Sequence, residues 1–301
     1  MSDERAPGRL PRLPLRAAFP PPPGPGRPGD PGVCVPGGVF RAVTAERATV
    51  LGGPAAILLQ VAHPLVAEGV AVHSDYTAGP AHRLLATLQA ALTVTFGDTE
   101  QARAAARHVG AQHARVRGTT RTAVPGTPAG TPYRAGDPDL ALWVHATLVH
   151  TARRVVERYV GRRLDAAERE RHWQESKPFA RLFAVSPAVL PRTGADFEEY
   201  WRTAVARLVV TDAARTVARD ILTQRTSPPL PGVAALARSV TADLLPPRVA
   251  DAYGLERTPG RRASAAALRT LLRTARPVLP RRVALWPHAE VARRRTAAAL
   301  R

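Results

Sequence analysis

Cysteine occurs once, as Cys34, lysine once, as Lys177, and aromatic residues make up only 5% of the 301 residues. A single cysteine excludes an internal disulfide framework and any CxxC metal site. Strand signals are as sparse as the aromatics, and alternating apolar and polar runs are hard to find. The N-terminus lacks the apolar core of a secretory signal. No apolar run reaches the ~20 residues of a membrane span. The nearest, from Ile57 to Val72, is interrupted by Pro64, Glu68 and Gly69. These absences predict a soluble, cytoplasmic protein, with peripheral membrane contact left open.

Several catalytic signatures are missing too. There is no HExxH, no GxxxxGK[ST], no GxSxG elbow, and no GxGxxG opening a βαβ unit. Glu-x-x-His pairs of a ferritin-type di-iron centre are also absent. The formal charge of +19 invites a nucleic-acid reading. However, 42 of the 43 basic residues are arginine, and alanine, proline and glycine are abundant, a pattern of GC-rich coding rather than of a selected basic face. Neither a helix-turn-helix spacing, nor zinc-finger ligands, nor an aromatic single-strand platform accompanies the charge, so no nucleic-acid partner is expected.

What is present is a hydrophobic content of 45%, rich in Ala, Leu and Val and punctuated by Gly and Pro. That predicts an all-α protein with one large helical domain at residues 38–260. Residues 1–37 read as a disordered or polyproline-like Pro/Gly/Arg-rich leader, and 261–301 as an Arg-rich helical extension. "GGPAAILLQVAH" should be a buried helix with Pro54 in its first turn, broken or kinked at Pro64. "GPAHRLLATLQAALTVTFG" is the next helix, with Gly97 as its stop. "DTEQARAAARHVGAQHARVRG" follows, with Asp98 and Gln101 as a capping box and Gly118 as terminator. A loop spans Thr119 to Gly136. Asp137 and Pro138 then start a helix through "LALWVHATLVHTARRVVERYVG", and Asp165 begins another.

Helical periodicity sorts the polar residues. His113 falls on the stripe of Ala102, Ala105, Ala106, Val109 and Val116, and is therefore expected to face inward. A core histidine bound to a carbonyl and a metal or haem ligand both fit that position. His145 aligns with Ala141, Leu148, Ala152, Val155 and Tyr159, also inward. His108 and His150 align with polar neighbours, and His172 and His288 lie in charged or uninformative stretches, so these four are expected at the surface. Arg83 and Thr87 share one helix face. Arg83 needs either an ion pair, with Glu68 or Asp75, or an anion in a pocket. His63, Glu68 and His73 interrupt the apolar run from Ile57. Burying such groups unpaired is costly, and several of them converging in one helical core would make a site.

The ordered set "LLQVAHPLVAEGVAVHSDY", "RLLAT", "HVGAQHARVRG", "YRAGDPDLALWVHATLV" and "LPRTGADFEEYW" resembles the oxygenase family of bacterial rubber oxygenase (latex-clearing protein) and the mycophenolic-acid mpaB-type enzyme. The likeness runs from about Gly37 to about Pro259. It implies a globin-reminiscent helical core holding haem b, with dioxygen as co-substrate and an apolar, isoprenoid or alkenyl, substrate cleaved at a C=C bond. By order and spacing the haem iron ligand would be His113, with Arg83 and Thr87 in the haem pocket and Glu68 near the position of the family's base. The family's distal lysine is Ala86 here. His63, His73 and His145 are typical of the family as cofactor-side or proton-relay candidates. The resemblance names no redox partner. Three rivals stay open: a non-haem metal enzyme using the same histidines, a haem-binding or sensing protein without turnover, and a basic helical protein whose buried histidines are structural.

Overall fold

The computed structural model describes residues 19–73, 79–222 and 232–298, and residues 79–84 through their backbone only. Fourteen α-helices account for two-thirds of the structure, and a single two-stranded sheet is the only β-element among the described residues, so the protein is all-α.

The core is organised around α2 (Gly53–Val61) and α6 (Pro138–Val155), which pack on each other. Proline stands in the first turn of both, where a missing N–H costs nothing. Asp137 caps α6 by accepting from the backbone N–H of Asp139 and Leu140. Leu58 and Leu59 of α2, and Leu142, Trp143 and Val149 of α6, are among the most deeply buried side chains. Trp143 stacks on Trp201 of α8 (Gly194–Ala206) and donates its indole N–H to the Gln60 carbonyl, 3.3 Å away.

Pro64 ends the run begun by α2. The chain turns and continues as α3 (Pro64–His73), and the apolar stretch is bent by 104° at that point. No single helix among the described residues is long and apolar enough to cross a membrane. The bent stretch passes that test only as a pair.

Helices α4 (Gly79–Phe96) and α5 (Thr99–His113) form a hairpin joined at Gly97 and Asp98. The Asp98 carboxylate accepts from the Gln101 N–H and the Gln101 side chain accepts from the Asp98 N–H, the capping box expected from the spacing. Further on, α1 (Val39–Ala45) lies on α7 (Ala166–Leu182), α3 on α9 (Asp212–Leu222), and α10 (Val233–Leu244) on α12 (Pro259–Ala275).

Two expectations are corrected here. Helix α5 stops at His113, not at Gly118, which instead lies in β1 (Arg117–Thr119). The supposed loop after it contains β2 (Pro132–Arg134), paired antiparallel with β1 so that Gly118 faces Tyr133. Strands of three residues are too short to leave a periodic signal. The leader is also not free from residue 19 onward. Phe19 packs edge-on against Trp286, 5.4 Å between ring centres. The Arg27 N–H donates to Asp98 at 2.7 Å, and the Gly29 N–H to the Arg295 carbonyl at 2.9 Å. Gly32 adopts φ +74° where it passes against Gly97, an approach that leaves no room for a side chain. The leader is extended, as its prolines require, but it straps the α4–α5 turn to α14 (Pro287–Ala297). Residues 1–18 of the leader lie outside the described residues.

At the far end of α6 the helix widens into one π-type turn, Val156–Val160, closed by Gly161 at φ +86°. That turn aims Arg158 and Tyr159 at Asp243 of α10. The Tyr159 hydroxyl donates at 2.9 Å, Arg158 forms a two-pronged ion pair, and Arg269 of α12 stands at 3.5 Å. Burial alone would raise the Asp243 carboxyl, but these donors outweigh it and hold it below the usual carboxylate range. Asp243→Ala would leave a partly buried guanidinium and a buried phenol without their acceptor. We expect a loss of about 2 kcal/mol in urea unfolding. A loss below about 0.5 kcal/mol would show that the cluster is incidental.

Candidate functional site

The expected inward-facing groups fall into two places rather than one. The first is an open cleft of about 740 Å³ walled by the end of α5 and by the β-hairpin, including His113, Val116, Arg117, Tyr133, Arg134 and Asp137. The second is a smaller cavity of about 120 Å³ inside the bundle, reached by α1, α2, α4, α6 and α7.

His113 lies on the wall of the cleft. The apolar stripe of α5 is buried at Ala102 and Ala106, half-buried at Val109, and exposed at His113. The expectation of a fully inward His113 is therefore corrected: the last turn of α5 runs past the core, and its stripe opens onto the cleft. Surrounding atoms still strip water from the ring, and this desolvation lowers its pKa, which favours the neutral imidazole. No side-chain hydrogen bond to His113 occurs among the described residues. His108, by contrast, is exposed and faces Gln112 at 3.2 Å.

Helix α3 backs this cleft. Gly69 lets it approach the hairpin closely: a Cβ there would meet Val116 Cγ1 at 3.3 Å and Tyr133 Cε2 at 3.4 Å. Glu68 beside it is buried and pairs with Arg121 at 2.5 Å. His73 is exposed. Its Nε2 donates to the Arg117 carbonyl at 3.1 Å, and its ring meets Tyr133 edge-on. Burial and the Glu68 carboxylate push the Tyr133 phenol up. His63 occupies the bend between α2 and α3. Its Nδ1 is buried without a partner, and desolvation lowers the ring's pKa despite the charge of Asp137. Of these residues only His113 lines the cleft itself; His73 lies against the hairpin that walls it, Glu68 is held by Arg121, and His63 sits at the bend between α2 and α3.

Thr87 and His145 belong to the inner cavity. Thr87 is exposed, and His145 is 3% exposed with its pKa driven down to about 3 by burial. Arg83 lies on α4, one turn before Thr87, and its side chain lies outside the described residues, as does Asp75. Among the described residues no three His, Cys, Asp or Glu side chains cluster to hold a metal ion.

Three histidines expected at the surface are not there. His172 is 1% exposed and its pKa falls to about 3 through burial and the charge of Arg153. His288 is fully enclosed beneath Trp286, where desolvation lowers it to about 4. His150 is half-buried, stacked at 3.8 Å on Trp201 and held well below its usual value by burial. His172 had a local signal, because it shares a stripe with Trp173, Ser176 and Phe179 inside its charged run. His150 and His288 are covered by residues distant in the chain, which local periodicity does not register. Arg117, Tyr133 and Arg134 of the cleft were missed with the hairpin that carries them.

Residues 40–276 match the family model described as "ER-bound oxygenase mpaB/B'/Rubber oxygenase, catalytic domain". No curated protein and no solved structure matches the chain significantly.

The neutral core histidines fix how stability depends on pH. In the folded protein His145 and His172 titrate near 3, whereas in the unfolded chain they titrate near 6.5. Between those values the unfolded chain binds protons that the folded one refuses, so stability falls as pH falls below about 6.5. With His150 and His288 also held low by burial, four such groups give a slope approaching about 5 kcal/mol per pH unit. Urea unfolding at pH 7, 6 and 5 should show that decline, and His172→Phe should flatten it by roughly a quarter. A slope unchanged in the variant would contradict the assignment.

Proposed function

The chain belongs to this oxygenase family, and from that premise we propose that it is a haem b-dependent oxygenase. In this reading it uses dioxygen on a small apolar, isoprenoid or alkenyl, substrate and cleaves it at a C=C bond. Both oxygen atoms of dioxygen would go to the two carbons of the broken double bond, so the overall reaction balances without a separate electron donor.

One observation carries the haem reading: a desolvated, unpartnered imidazole, His113, on the wall of the larger cleft. An imidazole ligates iron through a neutral ring nitrogen, and the lowered pKa of His113 favours that form even though the ring is exposed at the cleft. The cleft, at about 740 Å³, falls within the ~300–1,000 Å³ typical of cofactor sites. Haem iron needs only one or two protein ligands, whereas a non-haem iron needs about three, and no three such donors cluster among the described residues. Arg117 and Arg134 line the same cleft without an acidic partner among the described residues, which suits the carboxylates of a porphyrin.

Bound there, haem b would supply an iron that carries dioxygen and exchanges electrons. The chain's own groups supply the setting. His113 would hold the cofactor, with Arg117 and Arg134 at its acidic edge. The family likeness would add Arg83 and Thr87, although Thr87 lines the inner cavity rather than this cleft. Glu68 is held as an oriented acceptor by Arg121, and His63 offers a neutral nitrogen that can take a proton. Apolar walls of the inner cavity, among them Ile57, Leu88 and Val149, would take the hydrocarbon and exclude water.

An absorption spectrum tests the proposal. Wild-type protein supplied with haem should show a Soret band that His113→Ala abolishes or shifts and His108→Ala leaves in place. A protein that remains colourless after haem reconstitution, or a band indifferent to His113, would overturn it. Oxygen uptake with short alkenes then separates a catalyst from a haem carrier without turnover.

A further inference from the structure

Six large hydrophobic side chains are exposed among the described residues, and three of them, Leu271, Val278 and Val283, lie between residues 271 and 283. Val278 is 81% exposed, the most of the six, and Leu271 is 61% exposed. Single exposed apolar residues are ordinary on a protein surface, whereas a cluster of them marks a contact.

The cluster stands on a rigid support. Helix α12 ends at Ala275, but the Arg276 N–H donates to the Leu272 carbonyl at 2.8 Å and the Val278 N–H to the Ala275 carbonyl at 3.1 Å. These bonds carry the helical path to Val278, so Leu271 and Val278, seven residues apart, share one side of it. Both legs of the turn into α13 (Arg281–Ala284) are clipped to residues 45–47. Arg276 forms a two-pronged ion pair with Glu46 at 2.6 and 2.9 Å. Arg47 donates to the Arg282 and Leu285 carbonyls at 3.3 and 3.1 Å, and the Trp286 N–H donates to the Ala45 carbonyl at 2.9 Å. Pro277 and Pro280 restrict the backbone between the clips. Val278 is therefore held out in water by a stiff projection.

The charge around it has one sign. From Arg257 to Ala289 the chain carries eight arginines and no Asp or Glu. Arg276 is balanced by Glu46 and Arg269 by Asp243. Arg281 and Arg282 are exposed and have no acidic partner among the described residues. The family match ends at residue 276, so the tip of the projection lies outside it.

We propose that the α12–α13 turn docks the protein on an anionic lipid membrane, with Val278 and Leu271 entering the acyl boundary and Arg281 and Arg282 meeting headgroup phosphates. A bilayer answers both halves of the patch at once: it takes apolar side chains and leaves guanidinium groups at the interface. A nucleic-acid backbone would pair the arginines and leave Val278 in water. A second copy would set the same positive charge against itself. A deformable surface also needs no concave partner for a convex turn. The net charge of +19 adds attraction toward an anionic leaflet. Docking of this kind is peripheral and reversible, and it stands independently of the oxygenase reading.

Sedimentation of the full-length protein with lipid vesicles tests the proposal. Vesicles of phosphatidylcholine mixed with phosphatidylglycerol should carry the protein down, and phosphatidylcholine alone should not. Val278→Asp and Leu271→Asp should each weaken binding about tenfold. Arg281→Gln combined with Arg282→Gln should weaken it by about tenfold or more. All four side chains are exposed, and circular dichroism checks that the variants keep their helices. Arg103→Gln combined with Arg192→Gln removes the same charge from α5 and from the segment before α8, and should leave binding within about threefold. No binding to the anionic vesicles, equal binding to neutral ones, or a control pair that loses as much as Arg281 and Arg282 would each overturn the proposal. So would binding that falls with the arginines but not with Val278→Asp, the behaviour of a site for a polyanion such as nucleic acid.

Discussion

Desolvation of imidazole is the constraint on which this structure turns. A charged ring cannot be afforded in a helical core built from alanine, leucine and valine, so each buried histidine stays neutral and keeps one bare nitrogen. His145 uses Nε2 to reach Ser176 and leaves Nδ1 open. His63 keeps an unpartnered Nδ1 at the bend between α2 and α3. His113, at the edge of the bundle, is desolvated without being sealed in. The same physics therefore gives a proton-poor interior, unpartnered ring nitrogens at His63 and His145, and a neutral imidazole at the cleft.

The fold positions these three differently. Pro64 breaks the apolar run and turns α3 toward the hairpin, and Gly69 allows the close contact with Val116 and Tyr133 that seats it there. Glu68 is thereby brought to Arg121. Helix α6, pinned at one end by Asp137 and at the other by the Arg158–Tyr159–Asp243 cluster, carries His145 into the middle of the bundle. The leader and α14 close the opposite side by strapping the α4–α5 turn.

Much of this was legible in the sequence because it is local. Asp98 with Gln101, Asp137 with Pro138 and Asp165 each mark a helix start through bonds made within four residues. The stripe through His145 spans one helix and places it correctly. What was illegible is set by partners far along the chain. The hairpin depends on pairing Arg117 with Arg134, His150 is covered by Trp201, and the Pro-rich leader is held by Arg295. His113 falls between these cases: its stripe was read correctly, but the sequence does not say where along α5 the core ends.

The central claim is that His113 is the cleft's cofactor ligand, and chemical rescue tests it most directly. His113→Gly removes the ring and leaves space for a free imidazole from solution. If the account holds, haem binds the variant weakly, and millimolar imidazole restores the wild-type absorption spectrum. Haem that binds His113→Gly as it binds wild type, or a spectrum that imidazole does not change, would contradict it.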